Sequence, residues 1–258
     1  MDTIAARIAD VQARIAAAAR RAGRAPGEVR LVGVTKTHPA EVVAAALAAG
    51  LRDFGENRVQ EAEQKIADLA HLRAQITWHL IGHLQSNKAK RAAAEFDLIH
   101  SVDSLHLAAA LDRHFLETGR QGDKQQGVDS PPASLSPRLS VLLQVNVSGE
   151  SSKEGFDLAG WEDRPAGLDT FFGEVEQILA LPRLAVRGLM TIAPWGSDPE
   201  LARPAFRSAR RLRDELARRF PEVGWPELSM GMTDDFEVAV EEGATIVRVG
   251  RAIFGQRQ

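Results

Sequence analysis

Cysteine is absent from the 258 residues, which excludes disulfides, thiolate metal sites and a sulfur nucleophile and fits a reducing compartment. Tyrosine is absent as well, so no step can use a phenol as acid or base. Lysine is scarce, six residues against 26 arginines. Neither sign of charge dominates: 32 Lys plus Arg against 35 Asp plus Glu leave a formal net charge of −3, and nothing in that balance attracts nucleic acid or anionic lipid. No apolar run approaches the ~20 residues of a membrane span. The Ala/Arg-rich start carries Asp2 and Asp10 where a signal peptide would be apolar. A soluble, unexported, cytoplasmic protein is expected.

What is present is a globular composition, 44% hydrophobic and 26% charged, with a repeating grammar. Short β-branched runs alternate with Ala/Leu-rich segments of helical period, and this happens eight times. The runs fall at residues 31–35, 52–55, 76–81, 98–102, 139–147, 186–192, 227–230 and 245–249. His38 and Pro39 open one helix and Gly50 stops it, and residues 201–220 and 3–22 read as longer amphipathic helices. Thr233 is the expected N-cap of another, with Asp234 and Asp235 favouring its positive start and Gly243 ending it. Strict βα alternation implies a parallel sheet, and eight units imply a closed (β/α)8 TIM barrel, which needs about 250 residues. No G-x-G-x-x-G suggests an open dinucleotide fold. One domain over residues 1–258 is expected. A Gly/Ser/Pro-rich stretch at 119–137 reads as a mobile surface insertion, and a loose stretch at 149–170 as a partial cover of the barrel mouth.

In such barrels chemistry sits where the strands end. Lys36 ends the first run, where partial loss of hydration favours a nucleophilic amine suited to a Schiff base. A lysine pointing into water is the alternative there, and the other five, Lys65, Lys88, Lys90, Lys124 and Lys153, read as solvated. Residues 229–233 (SMGMT) and 248–255 (RVGRAIFG) each offer glycine and helix-start amides after strands seven and eight, the usual barrel phosphate site; tight turns alone would need the same glycines. Arg248 faces opposite Val247 and Val249 and, if inside, needs an acceptor partner. His79 and His83 are four apart, but in a strand and its loop, so no metal site is expected. Glu56, Glu61 and Glu63 read as a solvated face, with Asn57 turned inward.

Seven motifs then carry a resemblance: VGVTKTHP at 32–39, FGENRVQE at 54–61, WHLIGHLQSNK at 78–88, HSVDS at 100–104, GLMTI at 188–192, LSMGMTDD at 228–235 and VRVGRAIFG at 247–255. Together, and in this order, they resemble the pyridoxal phosphate homeostasis proteins (the YggS/PROSC family). The resemblance implies a single barrel of the alanine racemase N-terminal type carrying pyridoxal 5′-phosphate (PLP) as a reversible Schiff base on Lys36. It places Ser229, Gly231, Met232, Thr233, Gly250 and Arg251 around the phosphate, Arg248 near the ring or phosphate, and Asn57, His79 and Met190 along the cofactor. Thr233 replaces a common serine and keeps the hydroxyl, whereas Arg251 replaces a small hydroxyl residue. The insertion is longer than usual. The implied role is a monomeric carrier in vitamin B6 homeostasis, without turnover of its own, serving PLP-dependent apo-enzymes. A PLP-dependent racemase or lyase, or a PLP-free Schiff-base lyase of sugar phosphates, are the alternatives.

Overall fold

The computed structural model describes residues 3–117 and 137–255, so the expected insertion at 119–137 lies, apart from Pro137, outside the described residues. The strands are β1 (Arg30–Val34), β2 (Asp53–Glu56), β3 (Thr77–Leu80), β4 (Leu98–Val102), β5 (Leu139–Asn146), β6 (Phe156–Asp157), β7 (Leu184–Met190), β8 (Glu227–Ser229) and β9 (Ile246–Val249). All but β6 pair in parallel around a ring, which closes where β4 meets β5 and β9 meets β1. The (β/α)8 barrel expected from the alternation is present. The short β6 lies beside β5.

Side chains alternate along each strand, so each run serves two cores. Val32, Leu98, Leu142, Met190 and Ile246 form an apolar cluster that Ile192 joins, and the alternation places them in the lumen. Phe54, Trp78, Ile99, Leu143, Leu189 and Val247 belong to a second cluster under the helices. Burial on both faces explains why the sequence shows continuous apolar runs where a half-exposed sheet would show polar alternation.

The helices are α1 (Ile4–Arg21), α2 (Ala40–Ala48), α3 (Val59–Asp68), α4 (Ala89–Glu95), α5 (Leu105–Glu117), α6 (Pro165–Leu179), α7 (Arg203–Arg219), α8 (Phe236–Glu241) and α9 (Arg251–Phe254). None of the described helices is long and apolar enough to cross a membrane. Thr3 caps α1, its hydroxyl accepting from the Ala6 amide at 3.2 Å, and Ile8, Val11, Ile15, Ala18 and Ala19 are its buried stripe. That stripe packs on α8 and α9, the two helices that follow the expected phosphate loops. Burying each large aliphatic side chain contributes about 1.5–3 kcal/mol.

Two expectations change here. The stretch 149–170 is not loose: it holds β6, a 3-10 turn at Trp161–Asp163 and the start of α6. The expected N-cap Thr233 lies too early, because α8 starts at Phe236 with Asp235 in the cap position.

Candidate functional site at the barrel mouth

Lys36 leaves the end of β1 half-buried, and the chain on either side of it is held by an ion cluster. Lys65 of α3 is only 6% exposed and donates to Glu56 at 2.7 Å, to Glu61 at 3.0 Å and to the Thr35 carbonyl at 2.6 Å. The Thr35 hydroxyl donates to Glu56 at 2.6 Å, and the Thr37 amide donates to Glu61. Thr37 itself sits at φ 68°, a left-handed conformation that threonine adopts only when its surroundings hold it there. Lys65 and Glu56, both expected in solvent, are therefore interior groups. At the spacing i, i+4, Lys65 and Glu61 share a helix face, and that face points at the Lys36 turn. Burial pushes the Glu56 carboxyl up, with Lys65 pulling the other way. Burial also pulls Glu61 upward, but the hydrogen bonds from Lys65 and Thr37 outweigh it and hold the carboxyl below its usual range.

Across the mouth, Gly231 takes φ +92°, and a Cβ there would meet Ala239 Cβ at 2.5 Å and the Phe236 Cα at 2.9 Å. Only glycine lets β8 turn this tightly onto α8. Asp235 Oδ1 accepts the Met232 amide at 2.6 Å, and its carboxyl is pushed up chiefly by burial. The two aspartates differ: Asp234 is exposed and pairs with Arg251, while Asp235 turns in. After β9 the first turn of α9 begins with Ile253 N to Gly250 O at 2.9 Å, so the Arg251 and Ala252 amides precede any intrahelical acceptor.

Arg248 comes from β9 and is 4% exposed. It donates to Ser229 Oγ at 2.6 Å and to the Thr191 carbonyl at 3.0 Å, and no carboxylate lies within ion-pair distance among the described residues. Burial pulls its basicity down to about 10, with the Asp235 charge opposing that shift.

These pieces line one open cleft of about 600 Å³: Lys36, Asn57, Met232, Thr233, Arg248, Gly250 and Arg251, with Val34, Ile81, Ile192, Trp195 and Asp234. A cleft this size suits a small cofactor. Another of similar volume, by Trp161, Glu162, Arg211, Asp214 and Arg218, is lined largely by ion-paired surface groups without a nucleophile.

Seven expected site residues thus meet at the mouth. The other four do not line the cleft. Gly231 is buried at the turn, Met190 is a lumen side chain, and Ser229 and His79 are fully buried, joined through His100. The residues that sequence reasoning missed are Glu56, Lys65 and His100; polar residues within an apolar strand, as at His79 and His100, were the available signal. Among the described residues one group, His83, Asp103 and Glu154, is close enough to hold a metal ion, but it is partly exposed, and His83 already pairs with Asp103 at 3.4 Å.

The family model for the alanine racemase N-terminal domain matches residues 7–258. The chain is 45% identical over 257 residues to the pyridoxal phosphate homeostasis protein of Pseudomonas aeruginosa, covering 100% of this chain and 97% of that one. It is 41% identical over 262 residues to the protein of that name from Escherichia coli K12, covering 100% and 98%. PipY of Synechococcus elongatus, solved with PLP bound, superposes with a TM-score of 0.77 at 40% identity, covering 98% of this chain and 100% of that one. Alanine racemase from Corynebacterium glutamicum, 19% identical with a TM-score of 0.60 over 95% of this chain and 61% of that one, shares the fold alone. By sequence over its full length and by fold, the chain belongs to the family of pyridoxal phosphate homeostasis proteins.

Proposed function

We propose that residues 1–258 act as one unit that holds PLP at Lys36 and takes part in vitamin B6 homeostasis without catalytic turnover. The observation that carries this reading is the single cleft in which Lys36, the Met232–Thr233 turn, the Gly250–Arg251 turn and the buried cation Arg248 converge. The residues fit the group: an amine for an aldehyde, open amides and a hydroxyl for a phosphate, and a guanidinium that meets no carboxylate among the described residues. When bound, the cofactor supplies an aldehyde that the Lys36 amine captures reversibly. Lys36 is held in place by the Lys65 cluster, and the Arg251 and Ala252 amides and the Thr233 hydroxyl are the donors for the phosphate. Arg248 presents donors only, since a guanidinium does not give up its proton. Asn57 lines the cleft beside Lys36.

Adding PLP to the purified protein should produce a visible absorption band, and borohydride reduction should leave pyridoxyl phosphate on the Lys36 peptide. Lys36→Ala should abolish both while thermal unfolding changes little, because a side chain at the mouth leaves no core cavity. A band that persists in that variant removes Lys36 from the role.

The family fold also hosts racemases, and fold does not transfer activity. The chain has no tyrosine to act as a second base opposite the lysine. Incubating the PLP-loaded protein with L-alanine and other amino acids is expected to give no product; steady racemisation or cleavage overturns the carrier reading. Recipient apo-enzymes, a monomeric state and a cytoplasmic location belong to the same proposal.

A further inference from the structure

Beneath the cleft, five polar side chains form a line through the barrel. Arg248 Nη1 lies 2.6 Å from Ser229 Oγ, which is 2.9 Å from His100 Nδ1. His100 Nε2 is 2.9 Å from His79 Nδ1, and His79 Nε2 is 3.0 Å from Asp53 Oδ1. Ser229, His100 and His79 are fully buried. Asp53 opens β2 at the opposite end of the barrel from the cleft, where Arg30 approaches it at 3.9 Å.

With both imidazoles neutral, donor logic gives the line one direction. A carboxylate can only accept, so His79 carries its proton on Nε2 and accepts on Nδ1. His100 must then donate from Nε2 and accept on Nδ1. The Ser229 hydroxyl supplies that proton, and its lone pair takes the Arg248 N–H. Every group is satisfied with both imidazoles neutral, the cation at one end and the anion at the other. Burial, the largest influence, pushes the basicity of His100 well down, in accord with a neutral ring.

We infer that Asp53, His79 and His100 are positioning residues for Arg248, a polar relay through which a carboxylate at the barrel floor orients and balances the cation that faces the cofactor. Arg248 is held at two points, Ser229 Oγ and the Thr191 carbonyl, and its remaining donors are left to the cleft. The inference rests on the PLP-binding reading for its second test, but not for its first. It also gives His79 a role at a distance, where the family resemblance placed it along the cofactor.

The first test uses ligand-free protein. Imidazole ¹⁵N NMR at neutral pH is expected to show His79 and His100 as neutral Nε2–H tautomers; a cationic ring or an Nδ1–H tautomer at either position overturns the relay. The second compares Asp53→Asn and His100→Leu with the parent protein by PLP titration. The Asp53→Asn change keeps an acceptor of the same shape, so a role in packing alone predicts no effect on the cofactor. The relay predicts about tenfold weaker PLP binding in both variants, as for loss of a buried bond to a charged group, with a displaced visible maximum. Unchanged affinity and spectrum in a folded Asp53→Asn protein overturn the proposal. If the parent protein itself takes up no PLP, the function proposed above fails, and the tautomer measurement still decides the relay.

Discussion

At the scale of single residues, the most consequential group outside the cleft is Lys65. It lies between Glu56 and Glu61 and reaches the Thr35 carbonyl, so it ties α3 to the chain flanking Lys36. Lys65→Met should cost about 3–5 kcal/mol in chemical denaturation, since it strands the buried Glu56 carboxylate, and it should weaken PLP uptake. Glu61 gives the cluster a pH signature. Its folded carboxyl titrates below the usual 4.5, so its contribution to stability is complete above that value and is lost as pH falls through the folded one. Glu61→Gln should therefore flatten the acid arm of the stability curve below about pH 4.5, read by denaturant midpoints across pH. The sequence shows a Lys and two Glu in an ordinary charged segment, and nothing local distinguishes them from solvated ones. Their burial follows from where α3 docks.

At the scale of elements, α8 shows how a short helix is held in place from outside. Six residues form too little helix to be stable alone. Arg24, just after α1, donates to the carbonyls of Val240 at 2.8 Å and Ala244 at 2.9 Å, closing the end of α8. Arg14 of α1 pairs with Glu237 and lies 4.7 Å over the Phe236 ring. Arg203 and Arg207 of α7 converge on Glu242, just past the last turn. Arg24→Ala should cost about 1.5–3 kcal/mol, the range for charge-assisted hydrogen bonds, and should loosen α8 and the turn before it, seen as faster amide exchange in residues 236–241. Gly231→Ala should be harsher, roughly 2–4 kcal/mol by thermal or denaturant unfolding, because a positive φ and a backbone clash act together. The sequence marks this turn by its glycine. It misplaces the cap by two residues, because Thr233 and Asp235 are both good caps and only the docking of α1 and α7 chooses between them.

At the scale of the whole molecule, the barrel has an apolar cluster within it and a polar mouth. Leu142→Ala should cost about 2–5 kcal/mol, measured by denaturation, since Val32, Leu98, Met190 and Ile246 cannot all close on the cavity. The cleft also carries its own reporter. Trp195 is 78% exposed and lines it, whereas Trp78, Trp161 and Trp225 are buried. PLP should quench tryptophan emission, and Trp195→Phe should remove the exposed, red-shifted component and most of that quenching.

The amino-acid sequence by itself determined the architecture, because eight alternations of doubly buried strands and amphipathic helices leave a closed parallel barrel as their natural packing. It also determined the chemistry on offer, an amine at one strand end and glycine turns at two others, because barrel geometry assigns strand ends to the mouth. The tertiary structure decided what lies behind those groups. Lys65 is interior because it meets a carbonyl 30 positions back in the chain, and His100 is a relay group because it meets a serine 129 positions ahead. Such contacts have no local pattern: burial and hydrogen bonding are properties of the assembled barrel, and periodicity reports only the face a residue shares.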